Sequence, residues 1–267
     1  MLEEEKLPTE VNPKLLSHIT LENQVWKIDA EELSYKDLNS LLRAINNKNT
    51  GRIEIHNVYG QRYIGTDLDK EVQIDIYGTP GNDLGAFMNG PQLIVHGNAQ
   101  DGCGNTMNKG QIIVHGNAGD LTGHSMRGGK VFVRDDAGYR VGIHMKEFQG
   151  KKPQLVIGGT GQDFLGEYMA GGVILVLGLT LAEGERSKAR FVGTGMHGGV
   201  IYERGDLFES SEGTKVMDVG KRDSRVIETL TKDFCSHFGF DFKQVMHATF
   251  RKIVPISKRP YGNLYSY

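Results

Sequence analysis

The chain has 267 residues, 38% of them hydrophobic, and a formal net charge of −2, enough apolar material for one large domain or two small ones. With neither a basic field nor a basic tail it offers nothing to nucleic acid or a membrane surface. Two cysteines, Cys103 and Cys235, argue against a disulfide framework or an iron–sulfur site and read as reduced thiols. The acidic start, Met1 to Lys6, is unlike a signal peptide, and no apolar run approaches about 18 residues, so a soluble, cytoplasmic protein is expected.

Residues 1–34 are mostly polar, with one strand candidate from Gln24 to Ile28 that holds the only tryptophan, and read as a packing arm. Ser34 is placed to cap a helix over 36–46, where Leu38, Leu41, Leu42 and Ile45 have helical spacing. Such a helix can plug the open end of a solenoid, whose terminal rung presents unpaired edge groups. Gly51 to Leu68 reads as a degenerate first rung, with Ile53 and Ile55 alternating.

From Tyr77 to Gly205 one pattern repeats. Gly78, Gly97, Gly116 and Asp135 recur every 19 residues, each ending an alternating apolar run. Seven residues on comes Gly85, Gly104, Gly123 or Gly142, and three further on Met88, Met107, Met126 or Met145. After an insertion near Pro153 the phase returns with Gly166 and Met169, and after a longer one with Gly193 and Met196. A fixed short period with one clear strand per unit means a coil of stacked rungs. Each unit is expected to hold a strand, a glycine bend, a short second strand, another bend and a third short strand around the methionine. Glycine suits the bends because it takes left-handed dihedrals freely. Equivalent side chains should lie about 4.8 Å apart, Ile94 over Ile113 inside, with the methionines as a core ladder. The fold class is therefore an all-β solenoid, a right-handed parallel β-helix of about seven rungs with helical N- and C-terminal extensions. The divisions are 1–50 as arm and capping helix, 51–205 as β-helix, and 206–267 as C-terminal helices and tail.

After Gly205 the period stops. Asp206 to Gly220 reads as a charged connection, followed by helical spacing at Val226, Ile227, Leu230, Phe234 and Phe238 and a second helical run through Phe242, Val245, Met246 and Phe250. Both helices should pack on the solenoid or on a partner. The two-proline ending from Pro255 reads as an extended tail lying on a surface.

Several motifs invite chemistry. Gly158 to Asp163 spells the calcium nonapeptide GGxGxD, but that site needs consecutive nine-residue turns, which the sister rungs lack. Gly193 to Gly198 spells GxGxxG, yet a strand pattern rather than a helix follows, so no dinucleotide site is expected. His96 should stack over His115 without a third ligand to complete a metal site. Asn98 and Asn117 suit an amide ladder. Asp101 and Asp120 are expected at bends, accepting backbone N–H bonds. His124, Arg127 and His197 lie near corners where they could meet a partner's ligand. No nucleophile arrangement is present; no catalytic, cofactor-binding or metal-binding residue is assigned.

The runs Tyr77-Gly-Thr-Pro-Gly-Asn-Asp-Leu-Gly-Ala-Phe and Gly116-Asn-Ala-Gly-Asp-Leu-Thr-Gly-His-Ser-Met-Arg-Gly-Gly resemble the GXGXG domain at the C-terminus of the glutamate synthase large subunit. Gly193-Thr-Gly-Met-His-Gly-Gly-Val-Ile-Tyr and the tail from Lys258 are similar to its stand-alone form, found where that enzyme is split into separate chains. The resemblance implies a right-handed β-helix that braces a glutamine amidotransferase subunit and an FMN and iron–sulfur synthase subunit, with no cofactor in this chain and no catalysis by it alone. It carries over no catalytic residue: position 2 is Leu, not a nucleophilic Cys, and nothing supplies cluster thiolates. The repeat also resembles one of the chains of formylmethanofuran dehydrogenase and one of the chains of methylamine–glutamate methyltransferase. A homo-oligomer, or a β-helix enzyme or ligand binder with a site at the Asp/His corners, remains an alternative.

Overall fold

A computed structural model describes residues 12–46, 51–182, 184–209 and 211–256. A short 3-10 turn at Pro13–His18 leads into β1 (Ile19–Glu22), β2 (Val25–Asp29) and α1 (Tyr35–Asn46). One strand per rung follows: β3 (Arg52–Tyr59), β4 (Gln73–Thr79), β5 (Asn89–Val95), β6 (Lys109–Val114), β7 (Lys130–Val133), β8 (Gln154–Ile157), β9 (Ala170–Val176) and β10 (Gly198–Arg204). The chain continues as β11 (Thr214–Asp218), α2 (Lys221–Phe238), α3 (Phe242–Met246) and β12 (Phe250–Pro255). These strands make one sheet ordered β1-β2-β3-β4-β5-β6-β7-β8-β9-β10-β12-β11.

From β2 to β10 every pairing is parallel, and each strand lies beside its counterpart in the next rung. A parallel coil ends in two raw edges, and here both are closed by antiparallel strands: β1 folds back on β2, and β12 on β10 with β11 outside it. The segment read from sequence as a charged connection thus contains β11. Phe250, read as the end of a second helix, lies in β12; α3 is only five residues long, and the match of Phe250 to a 3.6-residue period is accidental. The tail from Lys258 lies outside the described residues.

Strand residues alternate in and out. Leu93 and Val95 of β5, and Ile112 and Val114 of β6, point into the coil and are fully buried. Ile94 and Ile113 stack as expected but on the outer side, because their neighbours hold the inner positions. One inner row ends in a charge: in register after Val133, Ile157 and Val176 comes Glu203, fully buried. Its carboxylate accepts from the backbone N–H of Leu207 (2.9 Å) and Phe208 (2.8 Å) and pairs with Arg251 of β12 (2.6 Å), fastening the closing strand to the last rung.

Met88, Met107, Met126, Met145 and Met169 are fully buried and Met196 is 5% exposed, all in the main core. The side of the coil that precedes them differs from the expected third strand. In one rung Gly102, Gly104 and Thr106 have φ of 70°, 74° and 54°, and the same three left-handed positions recur around Gly85, Gly123, Gly142, Gly166 and Gly193. Their N–H groups alternate in direction: Gly102 donates forward to Asp120 O and Thr106 to His124 O, while Gly104 donates back to Leu84 O (each 2.8 Å). The corner is bonded rung to rung as a sheet would be, with backbone of alternating handedness. At the middle position glycine is required twice over. Its φ is positive, and an added Cβ would meet the inner row, 2.7 Å from Ile112 Cδ1 at Gly85 and 2.5 Å from Ile174 Cδ1 at Gly142.

Ser34 caps α1, its Oγ 3.2 Å from the Asp37 N–H, and Leu38, Leu41, Leu42 and Ile45 belong to the main core. Asn39 Nδ2 donates to Arg62 O (3.0 Å), tying this helix to the first full corner. At the other terminus α2 lies across the outer sheet face. Ile227, Leu230 and Phe234 join Ile113, Phe132, Val156 and Leu175 in a second apolar cluster. Asp223 accepts from the Gly220 N–H (2.7 Å) at its start, and Gly239, φ 75°, ends it by donating to Cys235 O.

Candidate interaction surface

The outer sheet face changes character along the coil. Over β6 to β10 it is apolar and covered by α2; over β3 to β5 it carries Arg52, Glu54, Asp75 and a column of rings. His56, Tyr77, His96 and His115 stack at successive centroid distances of 4.6, 4.4 and 5.6 Å, and Phe238 closes the column edge-on at 5.1 Å. Asp75 is buried beside this column. Burial opposes its charge, but contacts from His96 Nε2 (2.9 Å), Gln73 Nε2 (2.7 Å) and Arg52 Nε (3.0 Å) outweigh that and hold its carboxyl below the usual carboxylate range. Burial, helped by neighbouring His96, Arg134 and His237, holds His115 below the ordinary imidazole value; burial does the same for His237 against the pull of Asp233. Beside the end of α2, Gln92 donates to Gln111 (2.9 Å), Gln111 contacts His237 (2.9 Å), and Lys130 pairs with Asp233 (2.7 Å).

The left-handed corner is the second surface, and it stays open. Its middle glycine faces the core while the residues two before and two after face outward. At these flanking positions stand Tyr63, Phe87, Leu121, Phe164, Tyr168 and Phe191, with φ between 53° and 67°. A side chain in that conformation costs about 1–2 kcal/mol relative to glycine. Phe87 is 52% exposed, Tyr168 47%, Phe191 49% and Leu121 37%, with Tyr139 beside them at 50%. Some of these rings support each other: His144 stacks on Tyr168 (5.4 Å), Phe164 on Phe191 (5.0 Å), and Arg140 lies over Phe164 (5.1 Å) while pairing with Glu167 (3.0 Å). Tyr168 also lies against Gly195, where a Cβ would meet the ring at 2.5 Å.

Asp101 and Asp120 sit at the bend before this corner and accept backbone N–H bonds from the next rung, Asp101 Oδ1 from Asp120 N and Asp120 Oδ1 from Tyr139 N, both 2.9 Å. The glycine preceding each acceptor's partner lets the carboxylate in: a Cβ on Gly119 or Gly138 would lie 2.2 or 2.1 Å from that oxygen. Asn98 and Asn117 act the same way, accepting from Asn117 N (2.8 Å) and Asp136 N (3.0 Å), so the expected amide-to-amide ladder is instead side chain to backbone. The amide pair that does form, Gln92 with Gln111, lies within β5 and β6, where the sequence gives no reason to single it out. In the GGxGxD segment Asp163 is held by Arg190, its Oδ1 accepting the backbone N–H (2.8 Å) and its Oδ2 the guanidinium (2.9 Å). The GxGxxG segment runs straight into β10. His124 is held below the ordinary imidazole value by burial and by neighbouring His144. His197 Nδ1 lies 3.4 Å from Gly195 O. Among the described residues no three His, Cys, Asp or Glu side chains converge to hold a metal ion. Cys103 lies in the main core, its thiol pushed up by burial to about 12, and Cys235 lies on α2 in the other cluster, so the two do not meet. Among the described residues no helix is long and apolar enough to cross a membrane.

Set beside known proteins, residues 33–257 match the family model described as the GXGXG motif. The chain is also 47% identical over 249 residues to an uncharacterized protein of Methanocaldococcus jannaschii, covering 90% of this chain and 95% of that protein.

Proposed function

The chain belongs to the GXGXG motif family, and from that premise we propose that it is a non-catalytic structural subunit of a split glutamate synthase. In this reading it holds a glutamine amidotransferase subunit and an FMN and iron–sulfur synthase subunit in fixed relation, so that ammonia released from glutamine reaches 2-oxoglutarate. The cofactors belong to the partner chains. The observation that carries the reading is the division of the surface: a coil bonded rung to rung, capped at both ends, covers the apolar part of one side, over β6 to β10, with its own helix and presents exposed rings along another. A stiff solenoid with aligned rows of side chains suits the docking of other chains.

Mixing the three separately purified chains tests it. Glutamate formation from glutamine and 2-oxoglutarate in the presence of an ammonia trap should need all three, and this chain should be inert alone. Turnover by this chain without the others would replace the scaffold with an enzyme. Assembly with the other chains of a formylmethanofuran dehydrogenase instead would keep the scaffold and change the enzyme it serves.

A further inference from the structure

We propose that the left-handed corner, from Tyr63 to Phe191, is the face on which a folded partner subunit docks, through an apolar strip edged with carboxylates on one side and basic groups on the other. This rests on the scaffold reading above and adds to it which face is used.

Two features of the corner are unexplained by folding alone. The backbone there must be left-handed, but it does not need bulk: the same flanking positions hold Gly102 and Gly195, with φ of 70° and 68°. Phe87 and Leu121 nevertheless place large apolar groups in a strained conformation and leave them in water, and Phe87 stacks on no other ring among the described residues. Strain combined with exposure marks a surface kept for contact. The sheet face supplies the contrast, since its outward apolar residues are covered by α2.

Size and charge define the occupant. Rungs stacked at about 4.8 Å make the strip on the order of 30 Å long, the span of one side of a standard interface of about 800 Å². The row that follows the methionines carries Arg127 and Lys146 along one rim, with the Arg127 guanidinium lying over the Phe148 ring at 5.7 Å. Asp101 and Asp120 stand on the other rim, each with one carboxylate oxygen bound to the next rung. A partner with acids facing Arg127 and Lys146, and bases facing Asp101 and Asp120, matches both rims in one orientation only.

The test is a Phe87→Gly/Leu121→Gly double variant, titrated by calorimetry against the amidotransferase subunit and against the FMN and iron–sulfur subunit. Tyr59→Ser, 94% exposed at the end of β3 and not at a left-handed corner position, is the control. Affinity for one subunit should fall about tenfold or more in the double variant, as expected when interface anchors are removed. Its melting temperature should hold or rise, and Tyr59→Ser should bind like the parent chain. Unchanged affinity in the double variant would refute this face while leaving the scaffold reading intact. A lowered melting temperature would show that the rings serve the fold, and a parent homodimer split by the variant would give the face to a second copy; either overturns the proposal. If the parent chain binds neither subunit, the proposal and the scaffold reading fall together.

Discussion

On the sheet side of the coil, Ile113, Phe132, Val156 and Leu175 face outward and are covered by α2; on the corner side, Phe87, Leu121, Tyr168 and Phe191 face outward and remain exposed. The first set rests on relaxed extended backbone, the second on left-handed backbone. Burial of the first set contributes about 1.5–3 kcal/mol per side chain, so it belongs to the stability of the fold. The second set gains no comparable burial within the chain and adds strain. Similar residue types therefore sit in different surroundings, covered on one side of the coil and exposed on the other, and substitutions should separate them.

The largest effect is expected where α2 grips the sheet. Phe234→Ala should destabilise the chain by about 3–5 kcal/mol in urea unfolding, because the ring is fully buried and packs against Gly158, where a Cβ would lie 2.6 Å from it. A smaller loss would show α2 to be a loose cover and blur the distinction between the sides. Gly142→Ala, at the inward middle of the corner, should cost roughly 2–4 kcal/mol, combining left-handed strain with overpacking against Ile174.

Acid should weaken both sides, the sheet side through Asp75, His115 and His237 and the corner through His124. Asp75 has its folded pKa lowered, so its contribution is present above the ordinary carboxylate range and lost as pH falls through the folded value. His115 and His237 are lowered too; as bases buried neutral, they make stability fall as pH drops below about 6.5. Asp75→Asn should flatten the stability curve below about pH 4 and leave the histidine limb in place. A variant curve parallel to the parent's would contradict the role given to Asp75. The smallest change belongs to the outward corner: Phe87→Gly should leave stability unchanged or raise it by up to about 1 kcal/mol in the same unfolding measurement.

Much of this is legible in the sequence. The 19-residue period, the glycines and the methionines fix the rungs, because those positions face a core that admits nothing else. The bend carboxylates Asp101 and Asp120 are legible from the turn chemistry of Asp. Other features are not. In the run Leu93 to Val95 three consecutive residues are apolar, so alternation does not tell which is outward, and the sequence reading puts Ile94 inside. Only the helix that covers that side explains its character. The left-handed flanks of the corner are hidden because they carry Phe, Leu and Tyr, residues that give no hint of positive φ. Phe250 fits a helical period while belonging to the closing strand, whose antiparallel pairing with β10 depends on residues about 50 positions away.

The most direct measurement is the rate at which glutamine nitrogen enters glutamate when the amidotransferase and the FMN and iron–sulfur subunits are mixed with and without this chain, with free ammonia trapped in the medium. Transfer that becomes resistant to the trap only when this chain is added is the expected result. Equal transfer in its absence, or glutamate formed by this chain alone, would contradict the role of a passive brace.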